Sequence, residues 1–274
     1  MRTLDGKVVV ITGAGSGIGR ALALRAAHQG AILAISDWDE VGLVETAQQV
    51  QTRSHREVRT DKLDVRDRQA MHDYAASLRA DLGRVNVIVN NAGVALHGDF
   101  EEVSYDDFEW IMDVDFWGVV QGTKEFLPHL IASGDGHVVN VSSLFGLMGM
   151  PGQTAYNAAK FGVRGFTEAL RQEMLIARHP VQVTCVHPGG IKTAIARNAR
   201  TTASHETSEI ARHFDTKLAR TTPARAAEVI LDGVLADKPR VVVGADAKAL
   251  DLMVRVVGPR YQDLIARYAR KLMP

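Results

Sequence analysis

The stretch Val8-Val9-Val10-Ile11-Thr12-Gly13-Ala14-Gly15-Ser16-Gly17-Ile18-Gly19 decides the fold. The apolar run does not alternate with polar residues. That is the pattern of a strand covered on both faces, as in a parallel sheet. Lys7–Thr12 therefore reads as a first strand. The glycines that follow mark a tight turn, and a helical pattern runs from about Gly17 to Gln29, closed by Gly30.

Outward from this unit the rhythm repeats. Ala31–Ser36 predicts a second strand and Asp39 opens a polar amphipathic helix. Val58–Val65 contains a third strand. Val85–Asn90, Gly136–Ser142, Val181–Val186 and Arg240–Gly244 predict the fourth to seventh. Alternating strands and helices imply an α/β fold, a doubly wound seven-stranded parallel sheet of Rossmann type flanked by helices. No internal repeat or linker divides it, so 1–274 is expected to form one domain. Two stretches break the rhythm. The polar segment 194–222, with His205, Glu206, Glu209, His213 and Asp215, reads either as a substrate lid or as surface helices. The tail 245–274 ends in a pattern that puts Tyr261, Leu264, Ile265, Tyr268 and Leu272 on one face. That face is expected to pack on the domain or a sister subunit, with a membrane-surface helix as the alternative.

Lys plus Arg equals Asp plus Glu in number. The balance gives no basic excess with which to bind nucleic acid. No apolar run approaches the roughly 18 residues of a membrane span, and no signal peptide is visible, so a cytoplasmic chain without stable membrane insertion is expected. The single cysteine, Cys185, lies in an apolar run and excludes an internal disulfide. The ten histidines are scattered without paired ligand spacing, so no metal site is expected.

The glycine turn is a candidate phosphate cradle. Missing Cβ atoms let a pyrophosphate approach the backbone, and free N–H groups at the helix start face the anion. Its spacing, Gly13, Gly17 and Gly19, differs from the common G-x-G-x-x-G. Ser16 and Ile18 belong to the same turn. Asp37, at the end of the second strand, can accept from adenosine ribose hydroxyls and would repel a 2′-phosphate, which favours NAD over NADP. Asp37 could instead cap the next helix, although Asp39 serves equally well.

Tyr156 and Lys160 lie four apart on a helical pattern and share a face. A tyrosine titrates near pH 10, and an ammonium beside it stabilises phenolate. The expectation is a lowered phenol that moves a proton near neutrality. Lys160 could also hold the nicotinamide ribose. Ser143 ends the fifth strand, where side chains face the ligand crevice of open α/β sheets, and can hold a substrate oxygen beside Tyr156. Ser142 would point to the opposite face.

With these residues in this order the chain resembles the short-chain dehydrogenase/reductase family over nearly its whole length. The motifs are Thr12–Gly19, Asp64 in Leu63-Asp64-Val65, Asn90-Asn91-Ala92-Gly93, Ser143, Tyr156 with Lys160, and Pro188-Gly189 followed by Thr193. The resemblance implies sheet order 3-2-1-4-5-6-7 and a homodimer or homotetramer. By that likeness Asp64 and Val65 contact adenine. Asn90 and Gly93 line the cofactor and support the central strand, with Asn91 and Ala92 beside them. Pro188, Gly189, Ile191 and Thr193 hold the nicotinamide carboxamide. Ser143 orients substrate, Tyr156 is the acid/base and Lys160 assists. One position departs. Asp115 stands where the family usually has an asparagine that supports a water relay from the lysine, and a carboxylate there opposes lysine deprotonation.

The implied reaction is hydride transfer between NAD(H) and a secondary alcohol or ketone. Phe145, Leu147, Met148 and Met150 in the 144–152 stretch, with Val94 and Leu96, suggest an apolar pocket and a lipophilic small-molecule substrate. The alternatives are an NAD-binding regulator or scaffold with little turnover, which Asp115 favours, and an epimerase or dehydratase, whose larger C-terminal domain this chain lacks room for.

Overall fold

The computed structural model describes residues 1–54, 56, 58–203, 208, 212, 216 and 219–272. Seven parallel strands form one sheet: β1 (Val8–Thr12), β2 (Ile32–Asp37), β3 (Val58–Lys62), β4 (Val87–Asn90), β6 (Gly136–Val141), β7 (Val181–Pro188) and β9 (Arg240–Val243). Their spatial order is β3-β2-β1-β4-β6-β7-β9, the order the resemblance implies. All five residues of β1 are buried. Val9 and Ile11 face one core, against α1 (Gly17–His28), α2 (Glu40–Gln51) and α7 (Pro223–Leu235). Val8 and Val10 face the other, against α3 (Arg68–Leu82), α5 (Gly118–Ser133) and α6 (Thr154–Ile176). The unalternating run of β1 is thus explained by a helical layer on each face.

Three features depart from the sequence reading. A second sheet of two short parallel strands joins β5 (Leu96–His97) to β8 (Arg200–Thr201). Asp115 lies in a π-helical turn, Asp113–Trp117, between α4 (Tyr105–Met112) and α5. The strand before the two serines ends at Val141, so Ser142 has left it.

The tail forms α8 (Ala245–Val257) and α9 (Tyr261–Leu272). Tyr261 is buried and Ile265 partly buried, packed with Leu144, Phe145, Met148 and Met150. Leu264 is instead half exposed, because its place on the helix turns it past the edge of that contact. The side chains of Tyr268 and Leu272 lie outside the described residues, as do His205, Glu206, Glu209, His213 and Asp215 of the expected lid. The start of that segment is anchored: the Arg200 guanidinium lies 3.7 Å over the Trp110 ring and 2.9 Å from Asp107.

Candidate active site

The candidate residues gather where β1, β4, β6 and β7 end, at the carboxyl edge of the sheet, the edge that holds ligands in open α/β sheets. Gly13 has a φ of +65°, and a Cβ there would lie 2.6 Å from the Ala92 Cα. The exit of β4 grips this turn. Asn91 Nδ2 donates to the carbonyls of Thr12 and Gly13, both at 3.0 Å. The N–H groups of Asn91 and Ala92 donate to Thr12 Oγ at 3.1 and 3.2 Å. α1 starts at Gly17, and the Ser16 hydroxyl does not cap it. The first N–H groups of a helix lack partners within it, so this uncapped turn fits a pyrophosphate. Thr193 reaches the same turn, its methyl 3.1 Å from where a Gly17 Cβ would be.

Asp37 does not cap α2; Asp39 does, accepting from the Val41 N–H. Asp37 accepts from the Gly15 N–H at 2.7 Å and the Asp39 N–H at 3.0 Å, which fixes its carboxylate on the glycine turn. Arg20, the first cation after the turn, donates to Gly15 O and Gly42 O and pairs with Glu45. The Asp64 carboxylate is engaged by Arg66, at 2.6 Å, which holds it below the usual carboxylate range. Val65 packs toward Gly118, where a Cβ would lie 2.8 Å from its Cγ2.

Asn90 turns inward and does not line the cleft. Its amide donates to Thr123 Oγ and to Asn140 Oδ1, and Asn140 in turn donates to Thr167 Oγ. This polar chain pins β4 and β6 to α5 and α6, so only the strand-supporting half of its implied role is visible. Gly93 lies next to the charged groups: a Cβ there would be 3.3 Å from Asp115 Oδ1 and 3.4 Å from Lys160 Nζ.

Tyr156 and Lys160 share one face of α6. The ammonium lies 5.6 Å from the phenol ring centre. Lys160 is 3 % exposed and Asp115 fully buried; their Nζ and Oδ2 are 3.0 Å apart. Asp115 Oδ1 also accepts from the Val94 N–H at 2.7 Å, and Lys160 donates to Val141 O at 3.3 Å. The Ser143 hydroxyl accepts from the Phe145 N–H at 3.1 Å, and it lies near enough to the Tyr156 phenol to favour its ionised form slightly. Burial pulls the Lys160 ammonium down, but Asp115 and the Tyr156 phenolate outweigh it, and the net direction is up. Burial likewise lifts the Asp115 carboxyl, against the pull of Lys160 and the Val94 N–H.

The phenol itself corrects the sequence reading. Desolvation raises Tyr156, Lys160 lowers it, Asp115 raises it again, and the result lies above the ordinary value. Lys160 therefore does not by itself bring this phenol below its ordinary value; a further positive charge beside it would favour the phenolate.

Two side chains that sequence reasoning did not single out, Asn157 and Asp246, position this site, as does Ser142, which was expected on the opposite face. Ser142 Oγ donates to the Lys160 carbonyl at 2.8 Å. Asn157 donates to the carbonyls of Phe145 and Met148 and accepts from the Met150 N–H. Asp246 accepts from the Gly190 N–H at 2.7 Å. His187, one of the ten scattered histidines, is buried, donates through Nδ1 to Ser143 O at 2.9 Å, and is pushed down to about 4 by burial. Burial pushes the Cys185 thiol up to about 12, which leaves it protonated. No group of metal-ligating side chains occurs among the described residues. Of the expected pocket residues, Leu96, Leu147 and Met148 are buried in packing, while Val94, Phe145 and Met150 are only partly buried. The concavity lined by Arg66, Arg68, Asp113, Trp117 and Gln121 contains none of the candidate residues.

A family model described as short chain dehydrogenase matches residues 7–204. SadH of Mycobacterium tuberculosis, which carries the name of an oxidoreductase, is 55% identical over 274 residues, 100% of this chain and 99% of its own. A short-chain dehydrogenase/reductase from Burkholderia phymatum in complex with NAD superposes with a TM-score of 0.87 at 27% identity, over 97% of each chain. A short-chain dehydrogenase from Mycobacterium paratuberculosis bound to NAD gives 0.76 at 26% identity, over 88% of this chain and 97% of that one.

Proposed function

The chain belongs to the short-chain dehydrogenase family of oxidoreductases, and from that premise we propose that it moves a hydride between NAD(H) and a secondary alcohol or ketone, with Tyr156 as proton carrier. The observation that carries the reading is the buried Lys160 ammonium 5.6 Å from the Tyr156 ring centre, beside Gly93 and the glycine turn that Asn91 and Ala92 grip. When bound, a nicotinamide supplies or accepts the hydride and, oxidised, a positive charge. Ser143 holds the substrate oxygen. In oxidation Tyr156 Oη takes the hydroxyl proton as the carbinol carbon gives up hydride; reduction returns it. Lys160, kept charged by Asp115, stabilises the phenolate. Orientation and acid/base placement each contribute several powers of ten.

The glycine turn, with Gly13, Ser16, Gly17, Ile18 and Gly19, would hold the pyrophosphate. Pro188, Gly189, Ile191 and Thr193 would border the nicotinamide. Val94, Phe145 and Met150 support a lipophilic substrate. The position of Asp37 on the turn supports NAD over NADP, since a carboxylate repels a 2′-phosphate. The same reading takes 1–274 as one catalytic unit acting in the cytoplasm as a homodimer or homotetramer. No helix among the described residues is long and apolar enough to cross a membrane.

A panel of secondary alcohols and ketones, run with NAD and NADP and followed by reduced-nicotinamide absorbance, tests the reaction. Tight NAD binding with no turnover across the panel would support the regulator instead. Asp37→Ala is expected to reduce the NAD-over-NADP preference about tenfold, the scale of one charge contact; an unchanged ratio removes Asp37 from cofactor choice.

A further inference from the structure

Two turns bound the proposed cleft: Pro188–Gly190 on the nicotinamide side and the 144–152 loop on the substrate side. The C-terminal tail touches both. Asp246, in the first turn of α8, accepts from the Gly190 N–H at 2.7 Å. Gly189 and Gly244 approach the same carboxylate so closely that a Cβ on either would collide with it. A carboxylate in a first helical turn often only complements the helix dipole, but here the bond crosses to another segment 56 residues away. At the other end, Tyr261 Oη accepts from the Gly149 N–H at 2.8 Å, and the ring is buried. Between these two bonds, Ala247, Leu250, Met253 and Val254 pack in one cluster with Leu144, Phe145 and Met148. Phe145 stands edge-on to Tyr156, with ring centres 6.2 Å apart.

We infer that the tail is a brace that sets the spacing of the cleft, with Asp246 positioning the turn that faces the nicotinamide and Tyr261 positioning the loop that faces the substrate. The role of this brace in binding rests on the proposed function, and its mechanics rest on the two hydrogen bonds and the packed cluster between them. α8 carries Asp246, and Tyr261 opens α9 after the tight turn Gly258–Arg260; the shared packing of Ala247, Met253, Val254 and Tyr261 against Leu144 and Met148 links the two ends. Asn157 holds the 144–152 loop from α6, and Tyr261 completes the grip from the opposite side. The two positioning residues are thereby coupled.

The test uses the full chain, with NADH as probe and hydrogen exchange as a second readout. Asp246→Ala removes the acceptor and is expected to weaken NADH binding about tenfold, with faster exchange in 188–193. Asp246→Asn keeps an acceptor oxygen and is expected to restore most of the affinity. Tyr261→Phe is expected to speed exchange in 144–152 and to weaken NADH binding about twofold. The double variant should lose less than the product of the two, as coupled sites do. Melting temperatures near the parent's separate these effects from unfolding. Unchanged exchange in both turns, or effects confined to the mutated end with strictly multiplicative losses, would overturn the brace. Failure of the parent itself to bind NADH would instead sink the proposed function, while the exchange arm would still decide the mechanics.

Discussion

Strand β6 carries an ionisable cluster at each end, and the two are built differently. At its start, Lys7 pairs with Asp135 at 2.7 Å and the Met1 ammonium with Asp237 at 3.2 Å. Both acids are about 40 % exposed, so water screens them and each pair is worth at most about 1 kcal/mol. At its finish, Lys160 and Asp115 are sealed from water around the Tyr156 phenol. Without screening, adding or removing one proton there is felt by every neighbour. The first arrangement holds the fold in a fixed charge state; the second is suited to proton exchange. A variant at one end should therefore disturb what a variant at the other leaves alone.

The largest effect is expected at the finishing end. Tyr156→Phe removes the hydroxyl proposed to carry the proton and should lower turnover roughly a thousandfold, within the span of acid/base placement. NADH affinity should stay within about twofold, and the melting temperature within about 2–4 °C, the scale of 1 kcal/mol for a chain of this length. Turnover within tenfold of the parent would make the two ends equivalent and remove Tyr156 from the mechanism.

How much of this was legible depended on what each feature asks of the chain. The β1 run Val8–Ile11 announces burial on both faces because periodicity is a property of consecutive residues. The glycine turn is legible because only residues without Cβ fit against Ala92. Two-residue strands such as Leu96–His97 carry no period, so the small sheet was invisible. Asn157 left a trace, an asparagine inside a helical pattern where it is disfavoured, and the structure explains it by three bonds to the 144–152 loop. The direction of the Tyr156 shift was not legible. Lys160 can be read at i+4, but the 3.0 Å contact with Asp115 and the desolvation that reverse the sign arise only from packing.

The next effect, smaller and confined to stability, belongs to the starting end. Thr184 Oγ donates to Lys238 O, so it accepts from His137 Nε2–H at 2.8 Å, and Nδ1 is left bare inside the protein. Burial pushes this histidine down to about 4, with Asp237 opposing and the Met1 ammonium assisting. The unfolded chain, titrating near 6.5, binds the proton that the folded chain refuses. Stability is therefore whole above pH 6.5 and falls as pH drops from 6.5 toward 4, by up to about 3 kcal/mol from this group. His187, also pushed down to about 4, adds a loss in the same window. His137→Leu should flatten about half of the denaturation midpoint's slope between those pH values, with kcat at pH 7.5 unchanged. A slope equal to the parent's would show that the ring is protonated when folded.

The smallest expected effect is the most informative, because it removes the counter-charge from the buried end and leaves its burial in place. Asp115→Asn removes the carboxylate but keeps an oxygen that can accept from the Val94 N–H. In the parent that carboxylate raises both Lys160 and Tyr156. Without it both fall: the phenolate forms at lower pH, and the lysine gives up its proton more readily. The rising limb of the pH–rate profile for alcohol oxidation should move toward lower pH, while the maximal rate changes by no more than about threefold. The opposite displacement would mean that Asp115 acts mainly by keeping Lys160 charged, since a neutral amine no longer stabilises the phenolate. Coincident profiles would show that the buried acid is held protonated and exerts no field. In that case the finishing end of β6 holds an ammonium without a counter-charge where the starting end holds ion pairs, and proton exchange at Tyr156 depends on Lys160 and the cofactor alone.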